Sequence, residues 1–204
     1  MKKILLMAAA LLLAPMLSQA ATVYKEGVHY SVINQGPKTK TPEIKEYFSF
    51  LCPHCFQFYL NVLPKLEKQL PKGVKFTQSH VDFLGGDIGK DLTRAFAIAE
   101  LLNVKHKIEG ALFNDIHVKR QRILGMKDIR KIFIANGVDA KEFDSVVNSF
   151  AVNARVAQMA RDAKDDQING VPELVINGKY KVLKKEIKTW DDFINIAVWV
   201  AKNK

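Results

Sequence analysis

Glu46-Tyr47-Phe48-Ser49-Phe50-Leu51-Cys52-Pro53-His54-Cys55-Phe56-Gln57-Phe58 is the stretch on which the reading of this chain turns. Its first half belongs to an apolar, aromatic run from Ile44 to Leu51 that reads as a buried strand. Pro53 suits the first position of a following helix, where its missing N–H costs nothing. Cys52 therefore stands at a helix N-terminus, where unpaired N–H groups and the peptide dipoles favour a thiolate. Cys55 lies one turn further on, close enough to close a small disulfide ring with Cys52. These are the only two cysteines in 204 residues, so the pair is the candidate reactive centre and can carry two electrons.

Upstream, His29 to Val32 alternates as a short edge strand. Downstream, Phe56, Phe58, Tyr59, Leu60 and Leu63 cover more than one side of a helix that Pro64 should end or kink. Val74 to Val81 reads as another strand. The pattern then turns helical for a long stretch: Leu92, Ala95, Phe96, Ala99 and Leu102 mark one helix, and Ile108, Leu112 and Ile116 a second. A third runs from about Asp128 to Ala135 and stops at Asn136-Gly137. Asp139 with Glu142 resembles a capping box for a fourth, and a longer polar helix covers about Ala151 to Lys164. Strand signals return with Glu173–Ile176, the turn dipeptide Asn177-Gly178 and Lys179–Val182, a β-hairpin. Thr189 caps a closing helix whose core side is Phe193, Ile196, Ala197 and Val200.

This order indicates an α/β protein, one domain at residues 21–82 and 160–204 interrupted by an all-helical insertion at 83–159. Residues 1–20 read as a cleaved secretory signal: Lys2 and Lys3, an apolar stretch from Ile4 to Leu17, then Ser18-Gln19-Ala20. About 14 apolar residues fall short of the roughly 20 that span a bilayer. Taking 20 from 204 leaves 184 residues, ample for a hydrophobic core without cross-links. An exported chain with two neighbouring cysteines has no disulfide framework. The net charge is +10, but the densest basic stretch, Lys119-Arg120-Gln121-Arg122, lacks interleaved aromatics and any nucleic-acid signature. It reads as a solvated face, and no nucleic-acid partner is expected.

Three stretches carry a resemblance to a known family: Glu46 to Phe58; Gly85-Gly86-Asp87-Ile88-Gly89-Lys90-Asp91-Leu92; and Gly170-Val171-Pro172 with Asn177-Gly178-Lys179-Tyr180. They resemble the DsbA family of bacterial periplasmic dithiol oxidases, within the thioredoxin superfamily, over nearly the whole chain after residue 20. The resemblance implies a thioredoxin-like fold with an inserted helical domain, and a periplasmic enzyme that donates a disulfide to reduced exported proteins. It also implies re-oxidation by a DsbB-like, quinone-linked membrane oxidase. Cys52 matches the attacking cysteine, Cys55 its buried partner, Val171-Pro172 a substrate-facing cis-proline loop, and Glu46 the buried acid beneath the disulfide. Family members carry a lysine near that acid where this chain has Gln78, so no Glu–Lys pair is carried over.

Physical chemistry assigns parts to the same residues. His54 sits where its N–H or its charge supports the Cys52 thiolate, and Pro53 limits loop flexibility. Glu46, on an apolar strand, reads as a buried group tuning proton transfer at Cys55. His80, at a strand end, reads as a satisfied core histidine. No metal and no cofactor are expected, and without a dimerisation module the chain should be a monomer. A periplasmic isomerase or reductase is the nearest alternative. A carrier using the two cysteines as soft metal ligands is a more distant one.

Overall fold

The computed structural model describes residues 23–36 and 39–204. The expected export signal, residues 1–20, lies outside them. Five strands form one mixed sheet in the order β1-β5-β4-β2-β3: β1 (Tyr30–Val32), β2 (Glu43–Phe48), β3 (Lys75–His80), β4 (Glu173–Ile176) and β5 (Tyr180–Val182). β2 lies between β4 and β3, parallel to β3 and antiparallel to β4. Its alternation divides the sheet. Ile44, Glu46 and Phe48 point to one face and Lys45 and Tyr47 to the other.

α1 (Pro53–Asn61), α2 (Leu63–Gln69) and α8 (Trp190–Asn203) cover the first face, where Ile44, Phe58, Leu66, Leu174, Phe193 and Ala197 share one apolar cluster. α3 (Asp87–Leu101), α4 (Lys105–Phe113), α5 (Met126–Ala135), α6 (Ala140–Val146) and α7 (Phe150–Asp165) follow β3. A second cluster joins these helices to the reactive end of the sheet through Phe48, Phe50, Cys52, Phe96, Leu112 and Phe113. Glu46 therefore lies along β2 between Ile44 of one cluster and Phe48 of the other. On the opposite face Tyr47 and Val175 pack with Ile168, and the Tyr47 hydroxyl donates to Asp166 Oδ2 at 2.6 Å.

The fold is thus the α/β, thioredoxin-like one with inserted helices that the sequence implies, with local differences that have physical causes. β2 stops at Phe48, three residues before Leu51. The chain turns there, the Cys52 N–H donating to Ser49 O at 3.0 Å and the Leu51 N–H to Ser49 Oγ at 3.2 Å. The helix after Cys52 breaks at Val62, two residues before Pro64, because Pro64 belongs to the first turn of α2, where no N–H is needed. α4 runs on into a π-helical turn, Asn114–Val118, that takes in Ile116. Asp139 caps α6 through Lys141 N and Glu142 N without the reciprocal bond of a capping box. The complete box is at α8, between Thr189 and Asp192. α7 is continuous through residues 159 and 160, where the expected domain boundary falls.

Gly89 is required by packing, since a Cβ there would collide with the carbonyl oxygens of Leu84 and Asp82. At the hairpin both Asn177 (φ 55°) and Gly178 (φ 60°) are left-handed, and Lys179 N bonds Ile176 O at 3.0 Å. The strand resumes at Tyr180, one residue later than expected.

Candidate active site

Cys52 is the N-cap of α1, with extended backbone (φ −91°, ψ 117°), and its sulfur accepts the Cys55 N–H at 3.3 Å. The sequence folds this way because Pro53 fixes the φ of the first helical residue and holds the residue before it, Cys52, in extended backbone. Both cysteines are free thiols. Cys52 keeps 7 % of its surface in solvent and Cys55 none. Their hydrogen bonds and surroundings separate their chemistry. A hydrogen bond from the Cys55 thiol, then the N–H groups of Cys55 and His54 and the His54 charge, bring the Cys52 thiol down to about 6 against the opposing effect of burial. Burial, the bond it gives Cys52 and the charge of Glu46 push the Cys55 thiol far above its ordinary range. One sulfur is an anion near neutrality and its neighbour stays protonated.

The approach to Cys52 is clamped. His80, fully buried, accepts the Phe50 N–H on Nε2 at 3.0 Å, and its Nδ1 lies 2.7 Å from Thr93 Oγ1. The Thr93 hydroxyl donates onward to Gly89 O, so Nδ1 carries the proton and the ring is neutral. Burial drives its pKa down to about 3. His117 donates from Nε2 to Phe50 O at 2.8 Å and stacks on Phe56, 5.0 Å and 9° from parallel.

Across from Cys52, the Val171–Pro172 peptide is cis, and Val171 O lies 3.5 Å from the Cys52 sulfur. His54, Val171, Pro172, Lys184, Ile187, Trp190 and Phe193 line a mostly apolar cleft of about 290 Å³ beside the thiol. His54 is exposed at its rim.

Beneath the pair, Glu46 stands opposite Gln78 in the parallel β2–β3 register. Gln78 Nε2 donates to Glu46 Oε2 at 2.9 Å and to Glu109 Oε1 at 2.8 Å, and Gln78 Oε1 accepts Lys105 Nζ at 2.8 Å. A lysine of α4 is thus hydrogen-bonded to the acid only through the Gln78 amide. Burial, then the neighbouring Glu109 charge, raise Glu46 well above the ordinary carboxyl range. Burial raises Glu109 to about 7.

The structure therefore gathers Cys52, Pro53, His54, Cys55, Glu46, Val171 and Pro172 around one centre. It adds Glu109, Lys105 and His117, which the sequence reading passed over. Glu109 had left a trace, as a carboxylate inside the Ile108–Leu112 apolar stripe.

One sulfur poised as an anion, and a second kept protonated beside it, equip a thiol:disulfide oxidoreductase, and the sheet that carries them is thioredoxin-like. Residues 43–195 match the family described as DSBA-like thioredoxin domain, and the chain belongs to that family. It is 44 % identical over 184 residues to the thiol:disulfide interchange protein DsbA of Escherichia coli K12, covering 89 % of this chain and 86 % of that protein. Over 191 residues it is 39 % identical to the DsbA of Dickeya dadantii, covering 93 % and 90 %. Among solved structures, Proteus mirabilis DsbA with a cysteine-to-serine substitution and a non-covalently bound peptide superposes with a TM-score of 0.80. The two share 37 % identity, over 89 % of this chain and 100 % of that one.

Proposed function

We propose that this protein is a periplasmic dithiol oxidase that donates a Cys52–Cys55 disulfide to reduced, newly exported proteins. The observation that carries the reading is the unequal placement of two neighbouring sulfurs, Cys52 at the N-cap of α1 accepting the Cys55 N–H at 3.3 Å and Cys55 fully buried behind it, which lowers the first thiol to about 6 and raises the second. A stabilised Cys52 thiolate stabilises the reduced protein and so makes its disulfide a stronger oxidant. DsbA proteins are themselves a standing example of this effect. The full depression counts only at a pH above both the folded and the unfolded thiol pKa. At pH 7 a thiol moved from 9 to about 6 gains about 1.4 kcal/mol for the reduced form, roughly 30 mV for a two-electron couple.

In the cycle, a substrate thiolate attacks the Cys52 sulfur, the disulfide opens, and the Cys55 sulfur leaves and takes up a proton. The substrate's second thiolate then attacks the substrate sulfur of the mixed disulfide and expels Cys52 as a thiolate. The substrate has lost two electrons and two thiol protons, and the enzyme holds both electrons. A DsbB-like quinone-linked membrane oxidase would remove them. His54 and Pro53 tune the Cys52 thiolate, and Glu46 serves Cys55 as proton acceptor and donor. Val171 offers backbone to an extended substrate segment beside Pro172, as an added strand, with apolar side chains entering the adjacent cleft. The same reading assigns residues 21–82 and 160–204 to the thioredoxin-like part and 83–159 to the insertion, with α7 belonging to both.

Equilibration with reduced and oxidised glutathione tests the proposal. An oxidase stays largely reduced at glutathione ratios that oxidise a reductase. A potential in the reducing range of thioredoxin-type reductants would replace the oxidase reading with the reductase one.

A further inference from the structure

Glu46 and Glu109 come from elements far apart in the sequence, and both are buried, at 2 % and 1 % exposure. The two hydrogens of a single amide nitrogen, Gln78 Nε2, are spent on one oxygen of each. Those oxygens are therefore within about 6 Å of one another, the range in which two carboxylates oppose each other's ionisation. Among the described residues, one cation, Lys105, bonds these side chains, and it binds the far end of the amide rather than either acid. Glu109 Oε2 is buried without a hydrogen-bond partner among the described residues, a costly place for bare charge.

We propose that Glu46 and Glu109 share a single proton across the Gln78 amide, and that Glu109 is the positioning residue that sets whether Glu46 can give a proton to Cys55 or take one from it. With one proton retained, two carboxyls and Lys105 sum to zero charge. The vacant Glu109 Oε2 is where the proton rests when Glu46 is ionised.

The step balances with solvent water as the one further proton source. When the disulfide opens, the Cys55 thiolate takes the proton of the Glu46 carboxylic acid, leaving Cys55 as a thiol and Glu46 as a carboxylate. Glu109 then takes one proton from water, and the pair again holds one. Re-oxidation runs the transfer in reverse. Other groups facing the pair fit this balance. Cys55 and the Tyr59 hydroxyl approach from α1, and the charge of Glu67 on α2 acts on Glu109, as does that of Glu100 on α3. Glu100 is neutralised by Arg155 of α7 at 2.7 Å, and Arg155 also holds Gln78 O at 3.1 Å. Lys105, bonded to the Gln78 side chain, thus supplies the positive charge in this balance.

The inference rests on Cys52–Cys55 being the exchanging pair, and its test separates the two claims. Carboxylic-acid C=O infrared bands of the reduced protein are followed against pH in the parent chain and in the isosteric Glu46→Gln and Glu109→Gln variants. One protonated carboxyl titrating near neutrality in the parent, and lost in both variants, is the expected result. A band unaffected by Glu109→Gln, or no protonated carboxyl in the parent at neutral pH, overturns the shared proton whatever the enzyme's activity. The second arm uses the Cys52–glutathione mixed disulfide and measures its closure by Cys55 against pH. In Glu109→Gln the midpoint moves to lower pH, and the rate just below the parent midpoint changes at least about threefold. In the Glu46→Gln background, Glu109→Gln changes neither. Additive effects in the double variant would make Glu109 a structural residue only and overturn its role, while leaving the oxidase reading to stand or fall on the glutathione potential.

Discussion

His80 and His117 hold the same residue, Phe50, from opposite sides: one imidazole accepts its N–H at 3.0 Å and the other donates to its carbonyl at 2.8 Å. Phe50 is two residues before Cys52, at the bend where β2 has ended and α1 has not begun. No ladder or helix bond is available to its backbone there, and a buried backbone group left unpaired costs about 1–3 kcal/mol. The clamp fixes where the N-terminus of α1, and with it the thiolate, is placed.

Replacing His80 by Phe should therefore cost about 1–3 kcal/mol at pH 7, read by urea unfolding of the reduced protein. The pH dependence gives a second signature. His80 has a folded pKa depressed to about 3 from an ordinary 6.5, so its neutral-state stability is complete above about 6.5 and is lost as pH falls towards 3. Between these limits the parent should lose stability faster than His80→Phe. Parallel curves would show that His80 is not a buried neutral ring.

Thiolate absorbance against pH should give a Cys52 midpoint near 6. Cys52→Ser should lose that signal and all oxidation of a reduced exported substrate, and Cys55→Ser should accumulate mixed disulfides. Full oxidase activity in Cys52→Ser would refute the catalytic assignment.

His54→Ala should raise the Cys52 midpoint and make the couple more reducing, but by about a unit or less, roughly 30 mV. The reason is that the Cys55 thiol and the backbone N–H groups at the helix start act on the sulfur ahead of the imidazole charge. Glutathione equilibration of the variant checks the size. An unchanged midpoint would remove His54 from the tuning of the thiolate.

Glu109 bears on stability as well as on proton transfer. Its carboxyl is raised from 4.5 to about 7, so the folded chain holds a proton there that the unfolded chain releases. The stabilisation is complete below about 4.5 and is lost as pH rises through about 7. Denaturant unfolding should thus show the parent losing stability relative to Glu109→Gln as pH rises across that window. A parallel decline in both would mean that Glu109 is not the group responsible.

The reactive motif was legible in the sequence because its geometry is local. Pro53 sets a helix start, Cys52 precedes it, and Cys55 follows by one turn, so the thiolate could be located without knowing what packs around it. The strands around Ile44 and Glu173, the Asn177-Gly178 turn and the Thr189 cap were readable for the same reason, each depending on residues within a few positions. Where β2 ends was not. The run to Leu51 is as apolar as a strand should be, but the backbone leaves the ladder after Phe48 because Ser49 and His80 offer its N–H groups other acceptors.

Sequence alone thus pointed to Cys52 as the sulfur to be the anion, since helix dipoles and capping are properties of a short segment. Only the tertiary structure decided what lies beneath it. Glu46, Gln78, Lys105 and Glu109 meet through the parallel register of β2 and β3 and the seating of α4 against them. Periodicity can say that a residue faces inward, but it carries no information about which inward-facing residue of a distant element it meets. The charge state of a buried acid depends on those partners.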